Sequence, residues 1–182
     1  MSGKYSFQLK SRDRRRDLPD KTIIGQDSLE TTADVVLKLL AFLLFYRDRL
    51  QIEANLRNDS IPFVPDLVQL DYELRPILWI ECGECSVTKL DKLAVKAPEA
   101  DIWVVKRSKA EVEQLWFAMS KEELRRDRYH LIGLDAGMFE EVCALLRNRN
   151  ELLWVSGTFD PPNVQFDFNG LWFDAPFTVI PF

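Results

Sequence analysis

Residues 5–10 (YSFQLK) alternate apolar and polar side chains, the period of a strand with one buried face. The charged run RDRRRD at 12–17 then predicts a hairpin loop or solvated edge, with a returning strand at 22–24 that Gly25 ends. Asp27 or Ser28 is placed to cap a long helix over 29–47, with Glu30 in its first turn. Apolar residues at Val35, Val36, Leu39, Leu40, Phe42, Leu43 and Tyr46 give this helix a wide apolar surface, so a central position is expected. Lys38 interrupts the apolar run 35–46.

A strand at 49–53 and a polar loop at 54–60 come next. Two strands follow over 66–71 and 77–81, joined by a short turn around 73–76, and Pro65 opens the first, where proline is tolerated. Residues 86–97 read as a helix capped by Ser86 and stopped by Pro98. The nearly unbroken apolar run at 101–108 is that of a strand covered on both faces. A helix at 109–126, a strand at 129–135, a helix at 136–149 and a β-rich stretch over 151–182 complete the pattern. Strand–helix alternation after residue 77, with antiparallel additions at both ends, predicts one α/β domain over 1–182, a mixed sheet flanked by helices.

Composition narrows the class. The 182 residues suffice for one core, and 47% hydrophobic with 29% charged content is that of an ordinary globular protein. The longest apolar run, 35–46, is too short to span a bilayer, so no membrane partner is expected. Charges fill the N-terminus where a signal peptide needs its apolar centre, which makes a cytoplasmic location the expectation. A net charge of −5 gives no long-range pull toward nucleic acid, although it leaves room for a local basic groove. Nothing in the chain specifies an oligomeric state.

Candidate chemistry concentrates in LWIECGECSVTKLDK (78–92). Cys82 and Cys85 have the C-x-x-C spacing of a redox dithiol, near a strand-to-helix turn. Cys82 ends an apolar strand, however, where a cysteine packs as a small hydrophobe, and the element order differs from that of a thioredoxin. Zinc needs four nitrogen or sulfur ligands, and beyond these two the chain offers only the lone His130 and Cys143. His130 and the tryptophans are expected in structural roles. The arginines at 12 and 14–16 could touch phosphate, partly neutralised by Asp13 and Asp17.

The alternative is a carboxylate site. If strands 66–71 and 77–81 pair as a hairpin, Asp66 at the start of one meets Glu81 at the end of the other, two oxygen ligands of the kind Mg²⁺ takes. Lys89 and Lys92 lie three apart on the next helix and share a face. Between Ser86 and Lys109 there are six basic residues against three acidic ones, a local positive surface on an acidic chain.

Pro65-Asp66 followed by Glu81 at the end of an apolar strand resembles the PD-(D/E)XK, or restriction endonuclease-like, nuclease superfamily. More narrowly, LETTADVVLKLLAF (29–42), VPDLVQLD (64–71), LWIECG (78–83) and TKLDKLAVKA (88–97) resemble the YaeQ family of small bacterial proteins. The resemblance implies an αβββαβ core at about 28–108, with the β-rich tail (about 151–182) as an extra. It implies metal-dependent phosphodiester hydrolysis on nucleic acid, with Mg²⁺ or Mn²⁺ held by Glu30, Asp66 and Glu81, and Lys92 or Lys89 assisting. The superfamily's lysine would stand at position 83, which is Gly83, so a catalytically inactive interaction or regulatory protein on the same fold is the alternative. A thiol redox protein is the third.

Overall fold

The computed structural model describes residues 3–56 and 60–182. Of the expected polar loop 54–60, residues 57–59 lie outside the described residues. The elements are β1 (Gly3–Ser11), β2 (Lys21–Gln26), α1 (Thr32–Phe45), β3 (Gln51–Ile52), β4 (Leu67–Leu70), β5 (Pro76–Cys82), α2 (Val87–Lys96), β6 (Asp101–Lys106), α3 (Lys109–Lys121), β7 (Tyr129–Gly133), α4 (Ala136–Leu145), β8 (Arg149–Phe159), β9 (Pro162–Phe168), β10 (Leu171–Pro176) and β11 (Thr178–Pro181). The architecture is mixed α/β.

In place of the single mixed sheet expected, there are two. A six-stranded sheet has the order β11-β7-β6-β5-β4-β3, and a five-stranded sheet the order β10-β9-β8-β1-β2. The β-rich tail is therefore not an appendage. Its first strand β8 pairs in parallel with β1, at Leu9 opposite Leu152, and closes the second sheet from the far end of the chain. Periodicity is local, and a parallel partner about 140 residues away leaves no mark on it.

Helix α1 lies between the sheets. All residues from Val35 to Phe45 are buried, including Lys38, and they pack with Phe7, Ile24, Trp154 and Phe166 on one side and Leu67, Leu78, Ile80 and Val105 on the other. On the far face of the six-stranded sheet, Val68, Trp79, Ile102, Val104 and Leu131 meet Leu90, Leu93, Val112 and Met119 of α2 and α3. The alternation within β5 and β6 thus feeds two cores, as the apolar run at 101–108 predicted for β6. Helix α1 starts later than predicted, because Thr31 is its N-cap and the Asp34 carboxylate accepts the Thr31 N–H and hydroxyl. That capping pair outcompetes Asp27 and Ser28, and it leaves Glu30 outside the helix.

Several other elements are shorter than expected. Arg49 and Glu53 have positive φ and confine the 49–53 strand to two residues. Helix α3 stops at Lys121, just before Glu123 with φ 53°, and α4 stops at Leu145. The run at 12–17 is not wholly solvated either. Arg16 is only 8% exposed and donates to the Leu44 carbonyl at 2.8 Å as well as to Asp13. Among the described residues no helix is long and apolar enough to cross a membrane.

Candidate functional site

The β4–β5 hairpin sets the site. Its antiparallel register places Leu67 opposite Ile80, which extends to Asp66 opposite Glu81. Parallel pairing of β5 with β6, Cys82 opposite Val105, brings Lys106 level with Gly83. Around these carboxyl ends lies a cavity of about 790 Å³, walled also by the start of α1 and by Arg107, Glu111 and Gln114. Open α/β sheets form their ligand crevices at this position.

Glu30, Asp66, Glu81 and Lys89 all line the cavity. Lys92 does not: it is exposed, one turn further along α2, where the helix carries its side chain away from the sheet. A shared helix face did not bring both lysines to the cavity: Lys89, in the first turn of α2, lines it and Lys92 does not. The Ser86 cap, whose Oγ accepts the Lys89 N–H at 3.1 Å, fixes that turn.

Glu81 is 2% exposed and its carboxylate is fully engaged on one oxygen, accepting from Trp79 Nε1 at 2.8 Å and pairing with Lys89 Nζ at 2.9 Å. Burial works against the Lys89 ammonium, but the charge and hydrogen bond of Glu81 outweigh it and hold its pKa above the ordinary value. The Asp66 Oδ2 accepts the Cys82 N–H at 2.7 Å. Burial first, and the like charge of Glu81 second, push the Asp66 pKa up to about 7.

Glu30, Glu53 and Asp66 form a group of three carboxylates whose nearest oxygens lie within 4.8 Å of one another. A cation already occupies it. Lys38, 1% exposed, donates to Glu30 and Glu53 and stands 4.0 Å from Asp66 Oδ1. Burial lowers the pKa of this lysine, yet its hydrogen bonds to Glu30 and Glu53 overcome that and raise it. Glu30, read from sequence as a helix acid near a metal, is thus held by Lys38 and by the Asp27 N–H at 2.9 Å. Lys38 and Glu53 went unassigned in the sequence. A lone charge in an otherwise apolar central helix was the signal for Lys38, because burying it requires partners.

Both motif cysteines carry thiols with raised pKa, Cys82 well above the ordinary value and Cys85 to about 12, in each case chiefly by burial. A redox dithiol needs the opposite shift. Among the described residues, sulfur and histidine ligands form no cluster, and His130 stacks on Trp103 at 4.5 Å between ring centroids. Gly83 is conformationally required: its φ is +80°, and a Cβ there would lie 2.9 Å from Asp34 Oδ1. Gly83→Ala is expected to cost about 1–2 kcal/mol, and an unchanged melting temperature would refute this.

No curated protein matches the chain. The structure of the YaeQ protein from Xanthomonas axonopodis pv. citri superposes with a TM-score of 0.73 at 24% identity, covering 99% of this chain and 97% of the other. That of the YaeQ protein from Pseudomonas syringae gives 0.74 at 14% identity, covering 100% and 96%. At these identities the two structures speak to the fold alone. The family profile described as YaeQ protein matches residues 2–155, so the chain belongs to the YaeQ family.

Proposed function

We propose that this chain is a divalent-cation-dependent nuclease of the PD-(D/E)XK type, hydrolysing phosphodiesters of nucleic acid. The observation that carries the reading is the pairing of Asp66 with Glu81 across two antiparallel strands, facing one cavity with Lys89. The order α1-β3-β4-β5-α2-β6 supports it, being the αβββαβ order that the sequence resemblance implies.

The donor set fits Mg²⁺ or Mn²⁺. Asp66 and Glu81 offer the oxygen ligands hard cations take, and a cation between them would relieve the repulsion that raises the Asp66 pKa. When bound, the ion supplies Lewis acidity toward a phosphodiester and a water. The chain's own residues hold the geometry. The Cys82 N–H fixes the Asp66 carboxylate, and Trp79 with Lys89 fixes Glu81 in one orientation. Lys89 adds positive charge beside the point where negative charge develops. Glu30 becomes a third ligand only if Lys38 releases it. Exposed Leu29 and Val64 form an apolar lip on the cavity.

One observation favours a second reading, a non-catalytic binding module: the Lys38 ammonium already pairs with Glu30 and Glu53 in the three-carboxylate group. Incubating the chain with supercoiled plasmid, single-stranded DNA and RNA separates the two. Cleavage that requires Mg²⁺ or Mn²⁺, vanishes in Asp66→Ala and persists in Cys85→Ser is the expected result. Activity surviving Asp66→Ala would belong to a contaminant, and inertness toward all three substrates would leave the binding module.

A further inference from the structure

Three cations line the cavity, and two of them are committed. Lys89 is paired with Glu81 at 2.9 Å, and Arg107 donates from Nε to Glu111 at 3.0 Å. Lys106 differs. Its half-buried ammonium has no carboxylate within ion-pairing distance among the described residues, and its hydrogen bond is to a neutral group, the Gly83 carbonyl, at 2.6 Å. An ammonium carries three donors, so two remain for the cavity.

The position of Lys106 is built in. Gly83 N–H donates to the Val105 carbonyl at 3.0 Å while Lys106 bonds back to the Gly83 carbonyl, so backbone and side chain are pinned across the β5–β6 pair. A side chain at Gly83 is disfavoured, because its φ is +80° and a Cβ would lie 2.9 Å from Asp34 Oδ1. Positive charge at this corner of the cavity comes from the neighbouring strand, through Lys106.

We propose that Lys106 is the anion anchor of the cavity, its two free N–H groups taking the oxygens of a phosphate beside Asp66 and Glu81. The assignment rests on the nuclease reading for the identity of that phosphate as a phosphodiester. A purely structural lysine, stapling the turn after β5, would make the same bond to Gly83, so the test has to separate anchor from staple.

Inorganic phosphate is the probe, titrated into the full chain with Mg²⁺ present and followed by calorimetry and by the amide resonance of Glu84, whose N–H shares a peptide group with the Gly83 carbonyl. Phosphate shifts that resonance in the wild type. Lys106→Met weakens phosphate binding about 10–100-fold, the range of a charge-assisted hydrogen bond, without lowering the melting temperature, and Lys106→Arg restores most of it. Undiminished binding in Lys106→Met, a lowered melting temperature with affinity retained, or no phosphate response in the wild type would each overturn the anchor. Lys106-dependent phosphate binding without cleavage of any nucleic acid would keep the anchor and remove the nuclease reading. Cleavage at the wild-type rate by Lys106→Met would do the reverse.

Discussion

Replacing Asp66 by asparagine is expected to abolish cleavage, by at least about 10³-fold, while making the metal-free chain more stable at neutral pH. The two effects have one origin. Burial and the neighbouring Glu81 charge raise the Asp66 pKa to about 7, whereas an unfolded chain returns it to about 4. Between those values the folded state keeps a proton that the unfolded state loses. The group's contribution to stability is therefore complete below about pH 4, declines as pH rises and is gone above about pH 7. Asparagine does not titrate and can still accept the Cys82 N–H through its carbonyl oxygen. The stability gap between variant and wild type should open across that window, reaching on the order of 2 kcal/mol at pH 8. For a chain of this size that is a rise in melting temperature of about 4–8 °C. Thermal unfolding in chelator from pH 4 to 8 measures it, and a gap that does not change with pH would refute the account. Adding Mg²⁺ should stabilise the wild type, more at pH 7.5 than at 5.5, and leave Asp66→Asn unmoved.

Lys38→Met is the second large effect, and its sign is opposite. Methionine fills nearly the same volume in α1, but it leaves Glu30, Glu53 and Asp66 facing one another without a counter-charge. Removing one partner of a buried ion pair costs about 3–5 kcal/mol. Glu30 and Glu53 keep 22% and 36% side-chain exposure, so water screens part of this. A loss of about 2–3 kcal/mol, or roughly 4–12 °C, is expected. Millimolar Mg²⁺ should restore part of the loss by taking the place of the ammonium, and adding Glu53→Gln should restore part without metal. A variant as stable as the wild type, indifferent to Mg²⁺, would mean that the carboxylates do not depend on Lys38 for neutralisation.

Both effects turn on features of unequal visibility in the chain. Asp66 and Glu81 were legible because they end adjacent strands whose periodicity is clear, and a short hairpin fixes their register. Lys89 and Lys92 were equally eligible through the helix face they share, and of the two Lys89 lines the cavity. Lys106 and Glu53 had no local signature. Each ends or follows a strand like any other polar residue, and each matters only because of what another strand or helix places beside it. The Cys82–Cys85 motif was the reverse case, a local spacing whose two thiols burial pushes to raised pKa.

Local chemistry by itself determined most of the elements of this protein, because alternation, caps and glycine conformations act over a few residues. It also determined which acids could meet across the hairpin. Tertiary structure alone decided that β8 closes a second sheet on β1, that α1 is sealed between the two sheets, and that the one lysine inside it becomes the counter-ion of three carboxylates. The reason is the range of the forces involved. Backbone preference and side-chain periodicity are written within a few turns of chain, whereas charge pairing in a buried site depends on distances that exist only after distant segments have packed.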